Sequence, residues 1–145
     1  MYKNILIPTD GSELCQRAVE QGVALAKLVG AKVVGVTVTF PLHTGTPKMF
    51  IPASLSGVIH GETVKAADEK LAAIERVAKA AGVPVETVRP SHDHPWEAII
   101  ETARAKGCDL IVMASHGRSG VSAMVLGSET QKVLTHSKVP VLVVR

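Results

Sequence analysis

Between Met113 and Gln131 the chain reads Met113-Ala114-Ser115-His116-Gly117-Arg118-Ser119-Gly120, then an apolar patch, then Leu126-Gly127-Ser128-Glu129-Thr130-Gln131. Gly117 and Gly120 allow backbone amides to come close to an anion. Gly127-Ser128 stands where a helix would open, and the free N–H groups and dipole of that end favour negative charge. The chemistry this pattern offers is a phosphate cradle. A plainer reading fits the same residues: the glycines only turn the chain, and Ser128, three residues before Gln131, caps the helix at capping-box spacing. Arg118 could clamp a phosphate bidentately or lie in water, and His116 could donate to an oxyanion or be an ordinary polar loop residue. A second polar turn, Pro8-Thr9-Asp10-Gly11-Ser12, offers Asp10 for a divalent ion accompanying a phosphate, or Asp10 or Ser12 as a helix cap.

Other chemistries find little purchase. No G-x-x-x-x-G-K-[ST] occurs, and no G-x-G-x-x-G follows the first apolar run, so two common phosphate-binding signatures are absent. His92-Asp93-His94 falls in a short turn whose side chains would splay apart, and it reads as a solvated turn capping the next helix rather than a metal site, which needs more ligands. Cys15 and Cys108 stand alone, so neither a CxxC pair nor a zinc knuckle can be written. Ser119, Ser122 and Thr130 are at most phosphate acceptors. No Ser/His/Asp triad or pair of carboxylates suggests an efficient catalyst.

The elements that must position these turns are legible. Ile5, Leu6 and Ile7 form a buried strand within Lys3 to Pro8. Leu14, Ala18, Leu25 and Val29 repeat at helical spacing from about Ser12 to a stop at Gly30. Lys32 to Thr39 is a β-branched strand. Phe40 to His60 has no clean period and holds Pro41, Pro47 and Pro52. With Met49, Phe50 and Ile51 in it, this reads as a lid, a partner contact, or a plain surface connection. A second helix carries Val64, Ala67, Leu71, Ile74, Ala78 and Ala81 on one face and closes at Gly82. Val85 to Arg89 is a strand, Pro95 to Gly107 a helix, Leu110 to Met113 a strand, about Ser128 to His136 a helix, and Val139 to Val144 the last strand. Strands alternating with helices predict an α/β fold: an open, doubly wound, five-stranded parallel sheet with helices on both faces. In such sheets ligands bind beyond the carboxyl ends of the strands, where both glycine- and serine-bearing turns would lie.

Composition agrees. The 145 residues are 46% hydrophobic and 20% charged, as expected of one globular domain, residues 1–145. The net charge of +3 is spread without a basic run, and only Tyr2, Phe40, Phe50 and Trp96 are aromatic. That argues against a nucleic-acid surface. No apolar stretch approaches the roughly 18 residues of a membrane span, so the expected place is the cytoplasm, with reduced thiols.

Taken together, Lys3-Asn4-Ile5-Leu6-Ile7-Pro8-Thr9-Asp10-Gly11-Ser12, Asp109-Leu110-Ile111-Val112-Met113-Ala114-Ser115-His116-Gly117-Arg118, Leu126-Gly127-Ser128 and Val139-Pro140-Val141-Leu142-Val143-Val144 resemble the universal stress protein family. The likeness covers the chain except Phe40 to His60. It implies a Rossmann-like fold of the adenine-nucleotide alpha-hydrolase kind, a homodimer and, in one subclass, an ATP site, with magnesium or manganese as the accompanying ion at Asp10. That subclass carries G-x2-G-x9-G-[ST], and the matching positions here are Ala114, Gly117, Gly127 and Ser128. Alanine replaces the first glycine and adds a methyl near the expected ribose, which the fold either accommodates or does not. Asp93 is a second departure. By the same resemblance Pro8, Thr9 and Asp10 lie beside adenosine and Val38 offers its backbone to adenine. Ser115, His116, Gly117, Arg118, Ser119 and Gly120, with Ser128, Glu129 and Thr130, surround the phosphates.

In the family's strand order Val139 to Val144 is an edge, and antiparallel pairing with a second copy would cover it, sparing Pro140. Three functions remain open: an ATP-binding stress-response regulator with little turnover and an unidentified protein partner, a dimeric interaction module indifferent to nucleotide, and a slow ATPase or nucleotidyl-transferring relative.

Overall fold

The computed structural model describes residues 1–42, 52–118 and 125–145. Side chains leave a strand alternately to its two faces, and in strand β1 (Asn4–Pro8) both directions are dry: Ile5, Leu6 and Ile7 are wholly buried. Helix α1 (Glu13–Val29) follows, then β2 (Lys32–Val36), α2 (Ala53–Ala81), β3 (Val85–Val88), α3 (Pro95–Ala105), β4 (Leu110–Ala114), α4 (Ser128–His136) and β5 (Val141–Val144). The strands form one sheet in the order β3-β2-β1-β4-β5, parallel throughout.

Two cores flank the sheet. Ile5, Ile7, Val33 and Val112 pack with Val19 and Val23 of α1 and Leu71 and Ile74 of α2. Leu6, Val34, Ile111 and Met113 pack on the other face with Ile99 and Ala103 of α3 and Val133 of α4. The fold is therefore doubly wound. Winding proceeds from β1 outward to β3, then α3 carries the chain back across to β4, so the strand order reverses between β1 and β4. Helix α1 rides close to the sheet because Gly22 faces it: a Cβ there would come within 2.6 Å of Ile7 Cδ1. Its N-cap is Ser12, whose Oγ accepts from Cys15 N at 3.3 Å, and Gly30 ends it in the left-handed conformation.

Several boundaries differ from the sequence reading. β2 stops at Val36, not Thr39, because β1 ends at Pro8: Thr9 N donates to the Val36 carbonyl and the Thr37 hydroxyl donates to the Thr9 carbonyl. Thr39 keeps only an isolated bridge to Ser91. β5 begins at Val141, not Val139, since the Ser137 hydroxyl accepts from Val139 N and donates to its carbonyl, holding that segment in a turn. The largest difference is α2, which begins at Ala53, eleven residues before Val64. Its first buried residue is Ala67, so the preceding turns bury no apolar stripe and leave no period to read. Gly57 and Gly61 further mask them. The rest of the Phe40 to His60 connection, residues 43–51 with Met49, Phe50 and Ile51, lies outside the described residues. Among the described residues no helix is long and apolar enough to cross a membrane.

Candidate functional site

Over the carboxyl ends of β1, β2 and β4 the described residues enclose a cleft of about 470 Å³. Pro8, Thr9 and Asp10 form one wall, Val36 to Val38 with Phe40 a second, and Ala114 with His116 to Arg118 and Gly127 to Thr130 a third. The turns after β1 and β4 are joined directly. Asp10 Oδ1 accepts from Ser12 N at 2.9 Å, and its Oδ2 accepts from Arg118 N at 2.8 Å. Burial alone would push the Asp10 carboxyl up. The hydrogen bonds from Ser12, Cys15 and the Arg118 amide outweigh it and hold the group below its usual range. Gly117 is required by this contact, because a Cβ at that position would overlap the Asp10 carboxylate.

Gly127 answers a different demand. Its N–H donates to the Ser115 carbonyl at 2.7 Å, and a Cβ on it would lie 3.0 Å from His116 Cα. The chain thus returns onto its own loop, and α4 starts with its N-terminus at the cleft. Thr130 is buried, and its hydroxyl donates to the Ala114 carbonyl at 2.9 Å, fixing the first turn of α4 to the end of β4.

A sequence model of the universal stress protein family matches residues 1–145. The chain belongs to that family. It is 34% identical to a universal stress protein of Thermus aquaticus, with all of both chains covered. Among solved structures it resembles MJ0577 of Methanocaldococcus jannaschii, with TM-score 0.82, 28% identity, and 99% of this chain and 96% of that one covered. It also resembles a universal stress protein solved in complex with cAMP, with TM-score 0.74, 27% identity, and 99% of this chain and 97% of that one covered.

In this universal stress protein, Pro8, Thr9, Asp10, Val38, Ala114, His116, Gly117, Arg118, Gly127, Ser128, Glu129 and Thr130 all come together at the cleft. Ser115 stands behind it, 5% exposed, with Oγ 3.1 Å from His116 Nδ1. Ser119, Gly120 and Ser122 lie outside the described residues. Ala114 is 4% exposed and belongs to the core cluster that includes α1.

The capping assignment at α4 is corrected. Ser128 is the first helical residue and Gly127 the cap, with no side-chain cap bond. Gln131 donates through Nε2 to the Leu126 carbonyl instead of completing a capping box. At α3 the cap residue His94 makes no side-chain cap bond either. Glu129 supplies the acceptor, taking Trp96 N onto Oε2 at 2.9 Å. His92 instead accepts from His94 N and faces Glu97 at 3.6 Å.

Among the described residues no group of three or more His, Cys, Asp or Glu could hold a metal ion. Sequence reasoning missed Cys15, Phe40, Lys70, Pro95 and Ile99 in the cleft lining. Burial pushes the Cys15 thiol up, making it a weak nucleophile there. Apolar periodicity could have flagged Ile99 as buried, but nothing in the local pattern connects Lys70 with a turn some sixty residues earlier.

Proposed function

We propose that this protein binds an adenine nucleotide, ATP in the first place, in the cleft over β1, β2 and β4, and that occupancy rather than turnover is its output. The observation that carries this is the convergence of two anion-friendly backbone stretches on one cleft. The turn at Gly117 is fixed by the Arg118 amide on Asp10, and the N-terminus of α4 lies behind Gly127. Phosphates favour such a place. Val38, Ile99 and Met113 supply an apolar wall for the base at the other side. The related protein solved with cAMP supports the ligand class, and the burial of Ala114 in the core supports room for the sugar beside it.

Asp10 can give one carboxylate oxygen to a magnesium or manganese ion held chiefly by phosphate oxygens, the usual arrangement where a protein offers few ligands. Such an ion would neutralise phosphate charge. Little turnover is expected because the carboxylates at the cleft are occupied: both Asp10 oxygens accept backbone N–H groups, and Glu129 is bonded to Trp96 and lies 3.5 Å from Lys132. Such bonds make each carboxylate a weaker general base. In this reading the protein is a cytoplasmic stress-response regulator. Ligand contact at Phe40 would be passed into the adjoining connection and from there to a protein partner. β5 lies at the sheet edge with Leu142 43% exposed, and pairing with the same strand of a second copy would give a homodimer.

Titration calorimetry of ATP with magnesium into the wild type and into Gly117→Val tests the reading. Micromolar binding by the wild type, lost in the variant, is expected. No binding by the wild type would leave a dimeric module indifferent to nucleotide, and rapid ADP release would make the protein an ATPase.

A further inference from the structure

The structure assigns Lys70, on α2, as the arm that reads the negative charge of the ligand, so that the cleft prefers a phosphorylated nucleoside to the bare nucleoside. This rests on the nucleotide reading above and adds a residue that no motif points to. Lys70 lines the cleft although its helix belongs to the layer under the sheet. It reaches the cleft across the turn after β1: a Cβ on Gly11 would lie 3.2 Å from Lys70 Cγ and 3.3 Å from its Cε. Gly11, at φ 81°, is therefore shaped for two reasons, the left-handed turn and the passage of the lysine stem.

Its stem lies against Gly11, the residue that follows Asp10, and so enters the cleft from the turn where Asp10 holds the Arg118 amide. The position is half-buried, and among the described residues no carboxylate forms an ion pair with it. The two acidic groups of the cleft are otherwise engaged, Asp10 with Ser12 and Arg118 and Glu129 with Trp96. A cation held by its stem against a glycine, lining the cleft and in no ion pair among the described residues, suits an anionic ligand. Its compact charge suits a phosphate chain without demanding one geometry. The stem packing also limits the rotamer freedom lost when the ligand arrives.

The test is calorimetry with ATP and with adenosine, magnesium present, at two salt concentrations, on the wild type, Lys70→Met, Lys70→Arg and the exposed control Lys65→Met. Melting temperatures verify that each variant is folded. Lys70→Met should narrow the ratio of ATP to adenosine affinity about fivefold, the measure of a half-exposed ion contact, and flatten its salt dependence. Lys70→Arg should retain most of the ratio, and Lys65→Met all of it. If the wild type binds both ligands and Lys70→Met leaves the ratio unchanged, the charge-reading role is overturned while the nucleotide site stands. If the wild type binds neither, both readings fall.

Discussion

Asp10 accepts the backbone N–H of Arg118 at 2.8 Å, a bond between residues 108 positions apart that ties together the turns following the two central strands. An asparagine here keeps one acceptor oxygen but sets an NH2 group against the other amide. Asp10→Asn should cost about 1–2 kcal/mol of stability and weaken ATP binding, read by denaturant unfolding and calorimetry. The folded carboxyl titrates below its unfolded value, so its contribution is intact at neutral pH. It fades as pH falls from about 4 through the lower folded value. The variant should lose that acid-dependent part of the stability profile.

Gly117 and Gly127 answer to different neighbours, and their variants should part accordingly. A side chain at Gly117 meets the end of one carboxylate, whereas one at Gly127 meets the His116 backbone and the Ser115 carbonyl at 3.3 Å. Gly127→Val should therefore lose about 1–3 kcal/mol through the loop itself, and Gly117→Val less. Thermal melts without ligand measure the difference, and equal losses would contradict it.

Trp96 is the only tryptophan, its ring 4.7 Å from that of His136 and its backbone N–H on Glu129. Removing that acceptor takes the carboxylate away from Trp96 N in the first turn of α3, at a cost of about 1 kcal/mol. Glu129→Ala should shift tryptophan emission before global unfolding, while Glu129→Gln, which keeps an acceptor oxygen, should resemble the wild type. Unchanged emission in both would argue against the contact.

Leu142 presents an apolar side chain on the edge strand. If that edge joins two copies, Leu142→Glu should convert the dimer to folded monomers in sedimentation velocity. A wild type already monomeric at micromolar concentration would remove the edge from consideration.

Much of this arrangement was legible because its strands are buried on both faces: runs such as Ile5-Leu6-Ile7 and Leu110 to Met113 can hardly be anything else. Ser12 and Gly30 likewise mark the ends of α1 by their own chemistry. The turns of the site were legible for a related reason, since close backbone approach demands glycine at Gly117 and Gly127. What escaped were relations fixed only by packing. Glu129 lines the cleft and also takes the Trp96 amide, at the start of a helix 33 residues away. Gln131 had capping-box spacing and bonds Leu126 instead. Among the described residues α2 has no fully buried side chain before Ala67, so no pattern announced its first turns, and Lys70 enters the cleft because α2 lies against the turn at Gly11.

The reversal of strand order between β1 and β4 has a bearing on biosynthesis. While the ribosome has released only the first hundred or so residues, Asp10 has no Arg118 to hold, and the side of β1 that will receive β4 is still bare. The cleft closes only when β4 and the residues through Thr130 have emerged and docked. A ligand of this cleft would therefore give no help to the chain as it begins to fold, and would hold β4 against β1 only once the two have met.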